Sequence, residues 1–282
     1  MIVYSCDKLG ISFSGEAILE NINIAINEKD RIGIVGDNGA GKTTFIKLLT
    51  GELLPTDGSV MRYSKITQDL GYLPQRAQLA SSNNVYDEFL CTYSDLIEEE
   101  ERISELENKL KTCSQEEALV ISNKLNALYD NFVKTDGLTY KSRIESILIG
   151  LGFTKNMWHL NIDELSGGQK TRLALGKLIL KQPKVLILDE PTNHLDEESI
   201  LWLEEEILSF KGTLLVISHD RMFLDAVTNK TLLIENTGAY LYNAPYTKYI
   251  ELRNHDLQYQ ERCYKQQQKQ IAKIEAFIEK QR

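Results

Sequence analysis

The chain has 282 residues, of which 42% are apolar and 26% are charged, and its formal net charge is −9. This length is sufficient for one large domain or two small ones. No run of about 18 uncharged apolar residues occurs, and the first residues lack the basic and apolar segments of a signal peptide, so we expect neither a membrane span nor secretion. The four cysteines form no CxxC pair, which favours a reduced cytosolic protein.

The charge is distributed unevenly along the chain. Residues 246–282 have a net charge of +3, which leaves −12 for residues 1–245, and residues 87–117 alone carry −8. Such asymmetry indicates that different faces meet different partners. For the acidic segment the simpler interpretation is a face turned towards water.

The first part of the chain has the pattern of strands followed by a helix. Residues 1–75 predict short strands and turns, with an apolar strand over 31–36 and a helix over 42–51 that ends at Gly51. Glycine is then absent from 87–133, where helical periodicity predicts a helical hairpin. Its two apolar stripes are Leu96, Ile103, Leu106 and Leu110, and Leu125, Leu128 and Phe132.

Strand–helix alternation returns over residues 161–235. The segments "KVLILDEP" (184–191) and "GTLLVISHD" (212–220) are continuous apolar strands that end in polar residues. Strands buried on both faces are typical of parallel α/β sheets, where ligands bind at the carboxyl ends of the strands. The last segment, 246–282, predicts one long helix.

The segment "GDNGAGKT" (Gly36–Thr43) matches the phosphate-loop pattern GxxxxGK[ST] without a gap. Glycines allow backbone N–H groups to surround phosphate oxygens, and the following helix directs its positive end at the same anion. In this pattern Lys42 reaches the β- and γ-phosphates and Thr43 binds Mg²⁺. The predicted ATP-binding residues here are Gly36, Asp37, Asn38, Gly39, Ala40, Gly41, Lys42, Thr43 and Thr44.

Polar residues at two further strand ends are candidates for catalysis. Asp189 ends an apolar strand, where its carboxylate can bind the metal, and the neighbouring Glu190 can accept a proton from water. His219 follows the next strand and has two interpretations, a structural histidine or a hydrogen-bond partner of the γ-phosphate or the attacking water. Gln75, after Pro74, is a weaker signal by itself.

The segment "LSGGQ" (Leu165–Gln169), in order with the phosphate loop, Gln75, "LILDEP" and His219, makes residues 1–245 resemble an ATP-binding cassette. The resemblance implies an α/β P-loop NTPase fold with a mainly parallel core sheet, an antiparallel β subdomain and a helical subdomain. It also implies that the signature segment contacts ATP held by a second cassette, through the start of a helix. The residues concerned are Ser166, Gly167, Gly168 and Gln169.

The resemblance assigns three further roles. Phe13 corresponds to the aromatic that stacks on adenine, with a core phenylalanine as the alternative. Gln75 senses Mg²⁺ and water, which adds it to the predicted Mg²⁺ set of Thr43 and Asp189. Leu195 and Asp196 form the D-loop at the seam between two cassettes.

The phrases "EPTNHLD" (Glu190–Asp196) and "SHDR" (Ser218–Arg221) resemble the ABC-F type of cassette protein. ABC-F proteins carry two cassettes joined by a long helical linker and act on the ribosome as translation factors or antibiotic-resistance proteins. The implied organisation is a core of 1–86 with 161–245, a helical arm over 87–160 and a first linker helix over 246–282. Since Arg282 falls early in that linker, we expect the natural protein to continue.

Three functions remain open from the sequence. The first is a cytoplasmic, ribosome-associated ATPase that couples cassette closure to ribosome binding. The second is the ATP-binding subunit of a membrane transporter, and the third is an ATP-binding interaction module. The basic final helix and the "TNHLD" wording favour the first. The partner cassette is then the second half of the protein or a second copy of this chain.

The final helix has two predicted faces, at about 100° per residue. One is basic and suits ribosomal or transfer RNA phosphates, although a plain solvated surface is the alternative. The other is apolar and suits a partner helix. The basic residues are Arg262, Lys265, Lys269, Lys273 and Lys280, and the apolar ones are Tyr264, Ile271, Ile274 and Ile278.

Overall fold

The computed structural model describes residues 1–63, 69–75, 79 and 81–281, except the side chains of 115, 116 and 272–281. The chain forms two compact units, Met1–Tyr63 with Thr213–Arg282, and Ser64–Gly212. The division predicted from the sequence, with a helical arm over 87–160, stays a prediction. Among the described residues, none of the helices combines the length and apolarity that crossing a membrane requires.

Within the described residues, the principal helices and strands follow one another along the chain. They are β1 (Ile2–Phe13), β2 (Glu16–Asn27), β3 (Arg31–Val35), α1 (Lys42–Thr50), β4 (Asp57–Arg62), β5 (Leu70–Leu73), α2 (Val85–Leu90), α3 (Ser94–Leu110), α4 (Gln115–Lys134), α5 (Tyr140–Gly150), α6 (Gly167–Lys181), β6 (Val185–Asp189), α7 (Glu197–Ser209), β7 (Thr213–Ile217), α8 (Arg221–Val227), β8 (Lys230–Glu235), β9 (Gly238–Tyr242) and α9 (Tyr246–Gln281).

The first unit begins with a long antiparallel hairpin. β1 and β2 have 12 residues each and pair along their length, and β4 pairs with the other edge of β1. The prediction of short strands was therefore wrong here. The reason is that the register between β1 and β2 shifts at several points. Each bulge interrupts the alternation of apolar and polar residues, so one continuous strand resembles several short ones.

The first unit also contains the strand that leads into the phosphate loop. β3 lies between β7 and β8 and is parallel to both, and β9 adds an antiparallel strand next to β8. All five residues of β7 are buried, as are Ile32 and Ile34 of β3. This confirms the strands predicted at 31–36 and 212–220. The carboxyl ends of β3 and β7 consequently point the same way.

The second unit contains the parallel pair of β5 and β6. All five residues of β6 are buried, up to and including Asp189, which confirms the strand predicted over 184–191. Continuous burial of this kind excludes a strand with one solvated face.

The helical hairpin predicted over 87–133 is present in the second unit as α3 and α4. Both apolar stripes face inwards: Leu96, Ile103 and Phe132 are buried, and the other members are half-buried. Asn131 of α4 donates a hydrogen bond of 2.5 Å to Glu99 of α3. Most of the remaining acids of α3 are exposed, in agreement with an acidic face turned towards water.

Candidate functional site

The phosphate loop joins β3 to α1, and two of its glycines have no room for a side chain. A Cβ on Gly36 would lie 2.2 Å from the carbonyl oxygen of Ile234. Gly41 has a φ of 102°, and its Cβ would lie 3.0 Å from side-chain atoms of both Ile18 and Leu19. The glycine spacing of the motif is thus a packing requirement as well as an opening for phosphate.

Lys42 is the first residue of α1, and its ammonium group lies over the loop. Its Nζ donates hydrogen bonds to the carbonyl oxygens of Gly36 at 2.8 Å and Asp37 at 3.0 Å. A turn closes the loop between the N–H of Ala40 and the carbonyl of Asp37, at 3.1 Å. The loop therefore places a positive charge at the start of a nine-residue helix, where the backbone dipole is also positive.

A cavity of about 520 Å³ opens at this loop within the first unit. Its lining includes Lys42 together with Ser218 and His219, which directly follow β7. The structure thus brings together Lys42 and His219, two residues 177 positions apart in the chain. The side chain of His219 is exposed, so an imidazole group is accessible beside the cation of Lys42.

Helix α9 lines the other side of this cavity, which the sequence did not predict. Tyr246, Tyr249, Arg253 and Leu257 all contribute to the lining. Arg253 forms an ion pair with Glu235 at the end of β8. The sequence signal was limited to the helical periodicity, since no local pattern indicates which face of a helix a distant loop contacts.

Helix α9 is also fixed at its start by α8. The carboxylate of Asp225 accepts a 2.7 Å hydrogen bond from the N–H of Thr247 and a second bond from its hydroxyl group. Asp220 in turn accepts from the N–H groups of Met222 and Phe223, at 2.9 and 3.1 Å, where α8 begins. Two successive carboxylate caps therefore connect the segment that contains His219 to the first turn of α9.

Phe13 ends β1 opposite Glu16, at the tip of the hairpin. Its side chain is 48% exposed, so the alternative of a core phenylalanine is wrong. The same hairpin packs Ile18 and Leu19 against Gly41, which brings its tip towards the phosphate loop. An exposed aromatic ring at this place can stack on a flat base.

In the second unit, Asp189 and Glu190 lie at the carboxyl end of β6. Asp189 is 3% exposed and Glu190 is 6% exposed. Glu190 has a φ of 56°, in the left-handed region, and its carbonyl accepts a hydrogen bond of 3.2 Å from the N–H of Asn193. The strand thus ends in a tight turn that begins at Glu190. Gln75 is exposed and lies two residues beyond β5.

The signature segment forms the start of α6. Ser166 accepts a hydrogen bond from the N–H of Gln169 at 3.3 Å, and the Gln169 side chain accepts one from the N–H of Ser166 at 2.8 Å. This reciprocal capping box occupies both side chains. The N–H groups of Gly167 and Gly168, at the start of a 15-residue helix, are then the natural donors to an anion.

No role was predicted from the sequence for two residues in this region, His194 and Arg172. His194 packs against Gly168, and the guanidinium group of Arg172 donates to the His194 carbonyl oxygen. His194 stands in the quoted segment "TNHLD", but only Leu195 and Asp196 were assigned a role. Asp196 caps α7 by accepting from the N–H of Ser199 at 2.9 Å.

The residues present have the chemical groups that bind Mg²⁺ and a nucleoside triphosphate. The first unit supplies backbone N–H groups, an ammonium group and the Thr43 hydroxyl, and its cavity volume is within the range of about 300–1,000 Å³ that is usual for ligand pockets. Hydroxyl, amide and carboxylate oxygens are the ligands that Mg²⁺ prefers, and these are the groups on the predicted Mg²⁺ residues, Thr43 in the first unit and Gln75 and Asp189 in the second. The set has no soft or nitrogen ligand that would favour another metal.

Together the fold and the phosphate loop define a nucleotide-binding protein of the P-loop NTPase class. Family comparison makes this specific, because residues 19–193 match the sequence model of the family described as ABC transporter, and residues 232–282 match a second model with the same description. The chain belongs to the ABC transporter family, as an ATP-binding cassette of the kind whose members hydrolyse ATP.

Three curated relatives illustrate the similarity. The putative ATP-binding protein YdiF of Bacillus subtilis is 36% identical over 99% of this chain and 43% of its own length. The tylosin resistance ATP-binding protein TlrC of Streptomyces fradiae is 33% identical over 88% of this chain and 46% of its own length. The ABC transporter F family member 2 of Arabidopsis thaliana is 27% identical over 96% and 40%, respectively. The chain thus spans less than half the length of these relatives.

A solved structure of an ATP-binding subunit of an ABC transporter has a TM-score of 0.62 to this chain, at 16% identity. The match covers 86% of this chain and 90% of the other. It confirms the predicted α/β cassette fold and carries no information on function at this identity.

Proposed function

We propose that this chain is one cassette of an ABC-F protein, which binds and hydrolyses ATP and uses the resulting pairing of cassettes to act on the ribosome. The observation that carries the nucleotide part is the cavity at the phosphate loop. Lys42 and His219 line it together, and its loop is closed by glycines at positions where a side chain would collide. This arrangement suits an anion of several charges at the start of α1.

Each residue then has a role in ATP hydrolysis. Lys42 and the loop N–H groups bind the phosphates, and the Phe13 ring stacks on adenine. Mg²⁺, when bound, would supply positive charge to the phosphates, and Thr43, Gln75 and Asp189 are the residues that would hold it. Glu190 orients water and accepts its proton, while His219 donates a hydrogen bond to the γ-phosphate.

The signature segment serves a second cassette. The N–H groups of Gly167 and Gly168 donate to phosphate on that partner, with Ser166 and Gln169 fixing the turn that carries them. One cassette then contains parts of two sites and no complete site, so efficient hydrolysis requires pairing. The partner is the second half of a longer protein or another copy of this chain.

The ribosomal part of the proposal is supported by α9 and by the relatives. Helix α9 has 36 residues, and the side chains of Arg262, Lys265 and Lys269 are exposed. Exposed cations along a helix suit the phosphates of ribosomal and transfer RNA. Lys265 also pairs with Glu261 at 2.6 Å, an exposed pair that water and salt weaken. The side chains of Lys273, Ile274, Ile278 and Lys280 lie outside the described residues.

The apolar face of α9 is described only in part. Tyr264 is 61% exposed and Ile271 is 47% exposed, so both are available to a partner helix. A returning arm of a helical linker is the partner that we propose for them.

A membrane transporter subunit is the second candidate, and the description of the matched family favours it. We favour the ABC-F assignment because one relative is named a member of the F family and another a tylosin resistance protein. Under the ABC-F proposal, the protein is cytoplasmic and ribosome-associated. A third candidate, an interaction module with incidental hydrolysis, is distinguished by whether blocking hydrolysis changes partner binding.

The nucleotide site is tested by replacing Lys42. We expect Lys42→Ala to weaken binding of Mg-ATP by about ten- to a hundredfold, because a charge-assisted hydrogen bond contributes roughly 1.5–3 kcal/mol. Lys47→Ala is the matched control, since it makes the same change later in α1. Isothermal titration calorimetry measures both. Equal affinity in the two variants would contradict the assignment of Lys42.

The ribosomal role is tested in the full-length protein with Glu190→Gln, which we expect to retain ATP and to slow its hydrolysis, because the variant lacks the proposed proton acceptor. We expect this variant to accumulate on ribosomes in the presence of ATP and to sediment with them. Adding Lys42→Ala to it should return the protein to the supernatant, which controls for non-specific sedimentation. If the single variant binds ATP normally and stays in the supernatant, the ribosomal proposal fails while the ATPase assignment stands.

A further inference from the structure

His194 contacts α6 at two points that are one helical turn apart. A Cβ on Gly168 would lie 3.1 Å from the Cγ atom and 3.2 Å from the Cβ atom of His194, so the side chain fills the space beside that glycine. The Arg172 guanidinium donates a hydrogen bond to the backbone carbonyl of the same histidine. Because Gly168 and Arg172 are four residues apart, they lie on one face of α6. His194 is thus in contact with both ends of one turn of α6.

The backbone at this position is specialised for the contact. His194 has a φ of 70°, in the left-handed region, which histidine and asparagine adopt more readily than most residues. A hydrogen bond of 3.2 Å from Leu195 N–H to the Thr192 carbonyl closes a turn around it. The following Asp196 fixes the start of α7. The segment is therefore held before, at and after His194.

The side chain of Arg172, which makes the second of these contacts, is also held by other groups. Its side chain is half-buried, and besides His194 it donates to the carbonyl oxygen of Leu151 at 3.5 Å. The same guanidinium group lies 3.3 Å from the position that a Cβ on Gly152 would take. The start of α6 is thus connected to the end of α5 as well as to the segment that contains His194.

The consequence concerns the orientation of the first turn of α6. The side chains of Ser166 and Gln169 are occupied in the capping box, and Gly167 has nothing within 4 Å of its Cβ position. At Gly168, by contrast, the three atoms nearest to the Cβ position all belong to His194. Glycine at 168 has little intrinsic stiffness, and a side chain pressed against it limits the directions that its N–H group can take.

We propose that His194 is a positioning residue for ATP hydrolysis, which orients the N–H donors of Gly167 and Gly168 towards the phosphate of the partner cassette. The side chain acts by packing and not by proton transfer. This inference rests on the proposed function, because it requires the signature segment to act on a nucleotide held by a second cassette.

The test uses two variants that both tolerate the left-handed backbone. His194→Gly removes every side-chain atom that touches Gly168, whereas His194→Asn keeps the Cβ and Cγ atoms that make the two shortest contacts. Neither variant titrates, so a difference between them reports packing. The measurements are kcat and KM for ATP at high protein concentration, affinity for a fluorescent ATP analogue, and the thermal unfolding midpoint.

We expect His194→Gly to lower kcat by about tenfold or more, because a small misplacement of a reacting group has effects of that order. His194→Asn should stay within about twofold of the unmodified chain. The KM for ATP, the analogue affinity and the unfolding midpoint should be unchanged in both, since the phosphate loop binds nucleotide without the signature segment.

Equal turnover in the glycine and asparagine variants would overturn the inference, and so would a loss in both, which would indicate chemistry by the imidazole. A loss of analogue affinity or of the unfolding midpoint that accounts for the lower kcat of His194→Gly would show a structural role only and would also overturn it. Failure of the unmodified chain to bind the analogue would instead remove the proposed function, and the inference with it.

Discussion

Glu88 shows at the scale of one residue how the second unit holds its helices together. Its carboxylate, 6% exposed on α2, pairs with Lys177 of α6. It also accepts hydrogen bonds from Ser81 at 2.6 Å and Asn83 at 3.0 Å. Burial by itself raises the pKa of Glu88, but the hydrogen bonds from Lys177, Ser81 and Asn83 outweigh it and hold the pKa below its usual 4.5.

The sign of this shift predicts a dependence of stability on pH. A lowered pKa in the folded state means that the stabilisation is present above pH 4.5 and is lost as the pH falls through the lower folded value. We expect Glu88→Gln to lower the free energy of unfolding by about 1–3 kcal/mol at pH 7 and by less at pH 3.5. Urea denaturation at both values measures the difference.

Glu105→Gln on the exposed face of α3 is the control for Glu88→Gln, and a change within about 0.5 kcal/mol is expected for it. A gap between Glu88→Gln and the unmodified chain that stays the same at pH 3.5 would contradict the account of the Glu88 carboxylate.

At the residue scale, the site residues that the sequence predicted share one property. Each of them belongs to a short sequence pattern that can be recognised without knowledge of the rest of the chain. The phosphate loop needs only a strand, eight residues and a helix, and all three are present as predicted. Asp189 could be predicted because an apolar run ends there. His194 and Arg172 could not be predicted, because they are 22 residues apart in the chain. Their contact forms only because the fold places α6 next to the segment that contains His194. No periodicity encodes such an approach.

At the scale of elements, the difference between prediction and structure follows the same rule. The inward stripes of α3 and α4 were predicted because apolar residues recur at a regular helical spacing in both segments. Nothing comparable to a β-bulge interrupts that spacing. The β1–β2 hairpin was not predicted at its full length, because its register shifts break the alternation on which strand prediction relies.

The sequence likewise does not predict which parts of the molecule a helix packs against. The pattern over 246–282 predicted that α9 is helical and that it has two faces, and its helical path is confirmed to Gln281. It did not predict that Tyr246, Tyr249 and Arg253 would border the phosphate loop. That placement depends on the capping of Thr247 by Asp225, a contact across 22 residues. Helix α9 consequently forms part of the wall of the cavity at the phosphate loop.

At the scale of the whole molecule, the proposed function requires two cassettes. The chain spans 43% of the length of YdiF and 46% of that of TlrC. Under our proposal, Lys42 and Glu190 of one cassette act on a nucleotide that also needs the signature segment of another. Two copies of this chain can then form two complete sites, and one copy can form none.

The most direct test is the rate of phosphate release per mole of the 282-residue chain at saturating Mg-ATP, measured across a range of protein concentrations. Since pairing is second order, we expect the rate per mole to be low at sub-micromolar protein and to rise in proportion to concentration until pairing saturates. Glu190→Gln should abolish the rise. Fast turnover that is independent of concentration would contradict the claim that a complete site requires a second cassette.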